Sequence, residues 1–428
     1  MYDVIVIGGG FAGVTAAREA TLRGRSVLLL EARERLGGRT WRDEWQGWPV
    51  EYGGAWVHWH QPHTWSELTR AGLRVEVSGD TELAGWYVGS ERRSGSIEQR
   101  DEIARRGWDR FVDGVRDALP VPHDPTRALS SLARFDRLSI ADRLGELTLS
   151  DEEHDVLTAE LESLAHAPLD QAGAVSVLRW HALSGYSLEL TQFTGGRVTI
   201  VGGTRALLDA ISSGAPFERL LGAPASAVRS SGDRVEVETR DGTVFAGRAV
   251  VVAVPLNALG QVEFSPALPE DKQRAIALGQ ASRGIKIFIH ARGEPQLQNS
   301  IRPGHPFGYL ASDAFNGDGS QLLIGFGIDA EQCDAADLGA VQHQLEAILP
   351  GYEAVGATAH DWLADEHSRG TWAIHRPGWY EHHHAAMQRV DGLVVLAGSD
   401  IANGWSGFID GAIESGLRSG ARAAALAG

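Results

Sequence analysis

The chain has 428 residues, of which 43% are hydrophobic and 22% charged, as in an ordinary soluble globular protein. This length exceeds what one simple hydrophobic core covers and predicts two domains. The formal net charge of −17 at pH 7 opposes binding to nucleic acid or to anionic lipid, and no basic segment offsets it.

Cysteine content and hydropathy bear on where the protein works. Cys333 is the only cysteine, so no intramolecular disulfide exists and a reducing compartment is permitted. The chain enters a predicted strand at Tyr2 with no secretory leader before it. No apolar run reaches the roughly 20 residues that span a bilayer. We therefore expect a cytoplasmic protein that binds neither membrane nor nucleic acid.

The first residues have the pattern of a dinucleotide-binding unit. The apolar run Val4–Ile7 predicts a buried parallel strand, and Phe11–Leu22 has helical periodicity. Between them, Gly8, Gly10 and Gly13 have the G-x-G-x-x-G spacing. The first glycine permits a tight turn, the second lets a pyrophosphate approach the backbone, and the third lets the helix pack on the strand. The helix N-terminus would bind the phosphates.

An acidic residue completes this unit. A second predicted strand, Ser26–Leu30, is followed by Glu31, near the roughly 20-residue distance at which an acid meets the ribose hydroxyls. An acid at this point repels a 2′-phosphate, which argues against NADP. Strand, turn, helix, strand and acid in this order favour a nucleotide site over a βαβ unit without a ligand.

The residues after this acid resemble a known family. Glu31–Arg39 is similar to the E-A-R-x-x-x-G-G-R continuation of the flavin-dependent amine oxidases, and Gly53–Trp56 resembles their next flavin-contacting segment. The resemblance implies an α/β fold in which a Rossmann-type FAD-binding domain is interleaved with a substrate domain of mixed sheet plus helices, as in p-hydroxybenzoate hydroxylase. It implies FAD contacts at Gly8, Gly10, Gly13, Glu31, Ala32, Arg33, Gly38, Arg39, Gly54, Ala55, Trp56, Val228, Asp400 and Ile409.

The middle of the chain is predicted to alternate between the two domains. Helical spacing from Glu98 to Leu190 indicates a helical insert, and strands mixed with one helix, Leu338–Leu349, are expected from Phe264 to Val390. The predicted domains are 1–80, 200–263 and 391–428 for FAD binding, and 81–199 and 264–390 for substrate binding.

Several other motifs allow more than one interpretation. The segment Thr40–His63 is rich in tryptophan and histidine, and we interpret it as an aromatic-rich loop over the flavin rather than a metal site. We interpret His382–His384 as a solvated loop. Asp241-Gly242 between two β-rich runs predicts a hairpin. The glycines at 325 and 327 imitate a second nucleotide motif, but no strand ending in an acid follows, which disfavours an NADPH-dependent monooxygenase.

The C-terminal segment resembles the family's closing motif. The predicted strand Gly392–Leu396 leads to Asp400 and to a final helix that begins near Phe408. The resemblance implies that the acid contacts the ribityl or phosphate region, where the family more often has glutamate. It also implies that the helix N-terminus, at Ile409, faces the flavin pyrimidine ring and stabilises the anionic reduced form.

Lys286 is one of only two lysines, with Lys272. Alternation in Gly284–His290 places it on one face of a predicted strand and three isoleucines on the other. Without the resemblance, the residues of this segment also allow Lys286 to lie on an edge strand, where a charged side chain discourages aggregation. The resemblance instead implies a catalytic lysine whose amine holds a water against flavin N5.

The resemblance also implies a substrate site. Trp372 and Phe408 match two aromatic cage residues that orient a C–H bond and desolvate the amine. Thr371 stands where the mitochondrial monoamine oxidases have a cysteine bonded to the flavin, so FAD should be non-covalent. The expected catalytic residues are Lys286, Trp372 and Phe408, and the expected substrate contacts are Trp56, His58, Tyr309, Trp372 and Phe408.

Within the family, the motifs are most similar to the bacterial 6-hydroxynicotine oxidase branch. We therefore expect oxidation of a small secondary or cyclic amine to an imine, with hydride transfer to flavin N5 and reoxidation by O2 to H2O2. An L-amino-acid oxidase, or a cyclising or binding flavoprotein on the same fold, remains an alternative. A homodimer remains an alternative to a monomer.

Overall fold

The structure, a computed structural model, describes residues 1–77, 82–194, 196–294, 297–301, 303–316 and 318–428. The predicted domain boundary at residue 80 lies outside these residues. The helices α1–α15 are Phe11–Leu22, Pro62–Ala71, Ile97–Phe111, Val115–Ala118, Leu129–Asp136, Ile140–Gly145, Asp151–Ala165, Ala174–Leu183, Leu188–Thr194, Gly203–Ser213, Glu270–Leu278, Leu338–Ile348, Trp379–His382, His384–Gln388 and Ile409–Leu426. The strands β1–β19 are Tyr2–Ile7, Val27–Leu30, Arg42–Trp45, Trp48–Glu51, Val75–Val77, Leu83–Val88, Glu91–Ser96, Val198–Ile200, Glu218–Leu220, Ala225–Ser231, Arg234–Thr239, Val244–Val252, Glu263–Ser265, Ile285–Arg292, Leu297–Ser300, Tyr309–Phe315, Ser320–Gly327, Glu353–Ala359 and Val394–Leu396.

The first sheet contains the predicted nucleotide-binding unit. Its strand order is β13-β10-β11-β12-β1-β2-β9, and β19 pairs with β12. β1 runs parallel to both of its neighbours, β2 and β12. α1 connects β1 to β2 and packs against α15. The carboxyl ends of the parallel strands therefore lie at one edge of the sheet, where ligands bind in such folds.

The second sheet has the order β18-β14-β17-β16-β15-β6-β7. β14 pairs antiparallel with β17 on one side and β18 on the other, so it is an interior strand. Ile285, Ile287 and Ile289 pack into one core, whereas Phe288 packs into the core of the opposite face. Lys286 shares the face of Phe288 by alternation and is not an edge-strand lysine.

The predicted helical insert is present as α3–α9, between β7 and β8. Trp108, Phe111 and Leu157 from its apolar stripe are buried because α3 packs against α7, which in turn contacts β6. None of the described helices combines the length and apolarity that a bilayer crossing needs.

Three sequence interpretations of local structure are wrong. Part of the aromatic-rich segment forms the β3–β4 hairpin instead of a loop, because Trp48 packs into a core at 6% exposure. His384 is fully buried and accepts a hydrogen bond from Trp379 Nε1 at 3.3 Å, so this histidine run is not a solvated loop. Three further helices, α11, α13 and α14, lie in the region from 264 to 390, for which one helix was expected.

Candidate active site

A cavity of about 800 Å³ runs from the first sheet to the second. Its first end lies at the turn after β1, and its second end lies at Lys286 and Trp372. The predicted cofactor residues that line it are Gly8, Gly10, Glu31, Ala32, Arg33, Gly38, Arg39, Gly54, Ala55, Trp56 and Ile409.

The glycine-rich turn between β1 and α1 places the N-terminus of α1 at the cavity. The N-cap residue Gly10 makes no side-chain hydrogen bond, so no side chain competes with an anion for the first backbone N–H groups. Gly8 has a φ of +101°, which favours glycine. A Cβ on Gly13 would overlap the carbonyl oxygen of Gly8. Gly13 therefore permits close packing of helix and turn and does not line the cavity.

Glu31 is held in place at the end of β2. Its side chain is buried, and its Oε2 accepts the backbone N–H of Gly9 at 2.5 Å. Its Oε1 accepts the backbone N–H of Arg33 at 2.8 Å. The carboxylate still lines the cavity, where it could also accept hydrogen bonds from ribose hydroxyls.

The family resemblance implies that Asp400 contacts the cofactor directly. In the structure, Asp400 does not line the cavity. Its carboxylate is buried, forms an ion pair with Arg39, and accepts the N–H of Leu256 at 2.8 Å. Arg39 also donates to the carbonyl oxygen of Thr371 at 2.7 Å. Asp400, whose side chain is shorter than the glutamate more common in the family, thus holds Arg39 in place, and Arg39 itself faces the cavity.

Val228 also lies away from the cavity. It is 1% exposed in the middle of β10 and packs into the hydrophobic core. Ala225, the first residue of the same strand, lines the cavity instead, together with Ala223 and Pro224 just before it. We therefore propose that the backbone of 223–225 replaces Val228 as the adenine contact.

A second helix N-terminus meets the same cavity. Phe408 is the N-cap of α15 without a side-chain hydrogen bond, and Ile409 follows it in the cavity wall. Two uncapped helix N-termini suit a ligand with negative charge at two places, as FAD has in its pyrophosphate and reduced ring. The residues present therefore fit FAD.

Lys286 lies at the second end of the cavity and is 3% exposed. Its Nζ donates to the carbonyl oxygens of Glu51 at 2.9 Å and Gly53 at 2.5 Å, and it lies 4.8 Å from the centroid of the Trp56 ring. Burial lowers the pKa of Lys286 to about 8. The ammonium therefore predominates at neutral pH and is lost at moderately alkaline pH.

The two predicted cage residues both line the cavity. Trp372 Nε1 donates to the carbonyl oxygen of Leu164 at 3.0 Å, and its ring lies against His166, with 3.9 Å between centroids. Phe408 meets Trp180 edge to face at 5.3 Å between centroids. These contacts hold both rings in defined orientations.

A further aromatic wall joins residues that are distant in sequence. The ring of Phe326 lies 5.7 Å from that of Trp56 and 6.0 Å from that of Tyr309, and all three line the cavity. Burial raises the pKa of Tyr309 to about 12, which keeps its phenol neutral. Sequence reasoning missed Phe326 and Trp180. The alternation of side chains along β17 could have indicated that Phe326 shares a face with other residues of the strand. It could not show that this face lines the cavity.

His58 is the predicted substrate contact that the structure places elsewhere. It does not line the cavity and is fully buried. Its Nδ1 accepts the backbone N–H of His60 at 3.1 Å, and its ring lies 3.8 Å from that of Trp59. Burial lowers the pKa of His58 to about 4. His58 therefore stabilises this turn instead of facing a substrate.

The described residues contain no group of three or more His, Cys, Asp or Glu side chains arranged to hold a metal ion.

The chain is similar to known proteins along nearly its whole length. The family model described as flavin containing amine oxidoreductase matches residues 11–424. A pseudooxynicotine dehydrogenase of Pseudomonas sp is 36% identical, covering 98% of this chain and 85% of that protein. The (S)-6-hydroxynicotine oxidase of Paenarthrobacter nicotinovorans is 32% identical, covering 97% of each. The structure of cyclohexylamine oxidase from Brevibacterium oxydans matches with a TM-score of 0.80 at 21% identity, covering 99% of each chain, which confirms the predicted fold class.

Proposed function

Because this chain belongs to the flavin-containing amine oxidoreductases and uses FAD to oxidise amines, we propose that its substrate is a secondary or cyclic amine of the nicotine-derived kind. One observation carries this proposal: a single cavity joins the nucleotide-binding turn to Lys286 and an aromatic slot. The names of the two nicotine-related relatives support the substrate class.

The aromatic walls prepare the amine for oxidation. Bound FAD supplies a two-electron acceptor for a hydride from the carbon next to the amine nitrogen. Trp372 and Phe408 exclude water around the substrate, and desolvation favours the neutral amine. Only the neutral amine has the lone pair that stabilises the carbon as its hydride leaves, so that the substrate becomes an iminium ion. Solution water then hydrolyses the iminium.

Lys286 provides a fixed positive charge at this end of the cavity. We assign it to the step in which electrons pass to molecular oxygen, where negative charge develops on the acceptor and an adjacent ammonium stabilises it. The hydrogen bonds to Glu51 and Gly53 carbonyls orient the ammonium without neutralising it. With O2 as acceptor, the two electrons and two protons yield H2O2.

The function is tested by anaerobic reduction of the purified enzyme with a panel of amines. We expect nicotine, 6-hydroxynicotine or pseudooxynicotine to bleach the flavin absorbance faster than primary alkylamines or L-amino acids. Fastest bleaching by an L-amino acid would establish the amino-acid oxidase alternative. If no compound of the panel reduces the flavin, the proposal is wrong.

We expect acid precipitation to release all FAD from the protein. Thr371, which lines the cavity, has a hydroxyl that cannot form a thioether. Cys333 is buried in the core beside β14 and does not line the cavity. The measurement is flavin absorbance in the supernatant and the pellet. Flavin that remains on the precipitated protein would show a covalent bond.

Trp372→Ala should lower the rate of anaerobic flavin reduction by about 2–10-fold, because an aromatic contact contributes about 0.5–1.5 kcal/mol beyond its buried area. Trp59→Ala is the matched control, since Trp59 is 47% exposed and does not line the cavity. Equal rates for Trp372→Ala and wild type would remove Trp372 from the substrate site.

A further inference from the structure

Asp313 is a charged cavity residue that the proposed function does not use. It lies on β16, near Tyr309 and Ala311, and all three line the cavity. Its side chain is exposed, although protein surrounds it closely enough that burial raises the pKa of the Asp313 carboxyl while Lys286 lowers it. The carboxylate therefore meets water inside the cavity.

A β-bulge turns Asp313 into this position. Ser312 pairs with Leu323 and Ala314 pairs with Leu322, so Asp313 has no partner on β17. A bulge inserts one residue and re-aims side chains, often next to active sites. Consecutive strand residues normally point to opposite faces, yet Ser312 and Asp313 both line the cavity.

The Asp313 carboxylate has no hydrogen bond or ion pair with any residue in the described part of the chain. Arg100, another charged residue that lines the cavity, is by contrast compensated. Arg100 forms ion pairs with Glu160 at 2.6 Å and with Asp101 at 2.8 Å. A carboxylate that faces a cavity without such a partner is a binding group for a cation.

Asp313 lies some distance along the sheet from Lys286, which marks the end of the cavity where the reaction takes place. Lys286 is in register with Phe326, and Phe326 with Tyr309, so these three residues form a row across the sheet. Asp313 lies farther along β16, about 10–13 Å from this row at roughly 3.3 Å per residue. A group bound by Asp313 is therefore separated by several bonds from an amine that lies beside Lys286.

We propose that Asp313 binds a second basic nitrogen of the amine substrate, in its protonated form, by a charge-assisted hydrogen bond. This inference rests on the proposed function and specifies its substrate class: amines that carry another basic nitrogen remote from the one that is oxidised. α,ω-Diamines, with or without an alkyl group on the nitrogen that is oxidised, belong to this class, because their second amine is protonated at neutral pH. A cation beside Asp313 also stabilises its ionised form, which burial otherwise disfavours.

The test uses pairs of amines that differ only in the second nitrogen. One pair is an α,ω-diamine and the n-alkylamine of equal length, and another is the same two compounds with a methyl group on the nitrogen that is oxidised. Binding to the holoenzyme is measured by calorimetry and by the substrate dependence of anaerobic flavin reduction. Asp313→Asn removes the charge, and Asp313→Glu keeps it. Glu270→Gln is the control for loss of one negative charge, because Glu270 is 85% exposed and lies outside the cavity.

We expect wild type to bind the compound with the second nitrogen more tightly in at least one pair. Asp313→Asn should weaken that binding at least about 10-fold, the scale of a hydrogen bond to a charged group, and leave the partner compound unchanged. Asp313→Glu and Glu270→Gln should keep the preference. Equal weakening of both compounds, no effect in Asp313→Asn, or no preference in wild type would each overturn the subsite. The proposed function survives those results as long as the compounds without a second nitrogen still reduce the flavin.

Discussion

Lys286→Met is expected to slow the reaction of the reduced enzyme with oxygen by about 10²–10³-fold, the usual scale for removal of one electrostatic stabiliser. Methionine keeps most of the volume and removes the ammonium, which two backbone carbonyls hold beside Trp56. Anaerobic reduction by substrate should fall less. Both half-reactions are measured by stopped-flow absorbance of the flavin.

The two half-reactions separate the roles that Lys286 could have. Lys286→Arg, which keeps a positive charge, is the matched control and should retain part of the oxygen reaction. Slow reduction with intact reoxidation would make Lys286 a substrate-positioning or proton-transfer residue. If both rates match wild type, our assignment of Lys286 is wrong. If wild type itself reacts slowly with oxygen, another electron acceptor must be sought.

The same step should depend on pH. Because burial lowers the pKa of Lys286 to about 8, the ammonium is present below this pH and is lost above it. The reoxidation rate should therefore decrease as the pH rises through about 8. In Lys286→Met this decrease should disappear, and its persistence would assign the titration to another group.

Glu31→Ala should weaken FAD binding by about 10–100-fold, since a hydrogen bond to a charged group contributes about 1.5–3 kcal/mol. The change removes a carboxylate that faces the cavity and accepts the N–H groups of Gly9 and Arg33. Dilution of the holoenzyme, followed by flavin fluorescence, measures the dissociation constant.

Glu34→Ala is the control for this prediction. Glu34 lies in the same segment and is exposed, but it does not line the cavity. Its loss should leave FAD binding unchanged. Similar weakening by both substitutions would indicate a general effect of charge, and unchanged binding in Glu31→Ala would exclude a ribose contact.

Features that depend on local spacing could be predicted from the sequence by itself. The β1–α1–β2 unit, the hairpin at Asp241-Gly242 and the final helix α15 each follow from residues close together in the chain. Alternation also separated the isoleucines of β14 from Lys286. These predictions succeed because turn geometry and side-chain periodicity are properties of short segments.

Only the tertiary structure decided which residues share the cavity. It placed β14 inside the sheet, brought Phe326 beside Trp56 and Tyr309, and turned Asp313 inward through a bulge. It also showed that Val228 and His58, which were predicted to contact ligands, lie away from the cavity. Such outcomes depend on how strands that are far apart in sequence pair and pack. A one-residue change in register moves a side chain to the opposite face of a sheet, and no short segment contains that information.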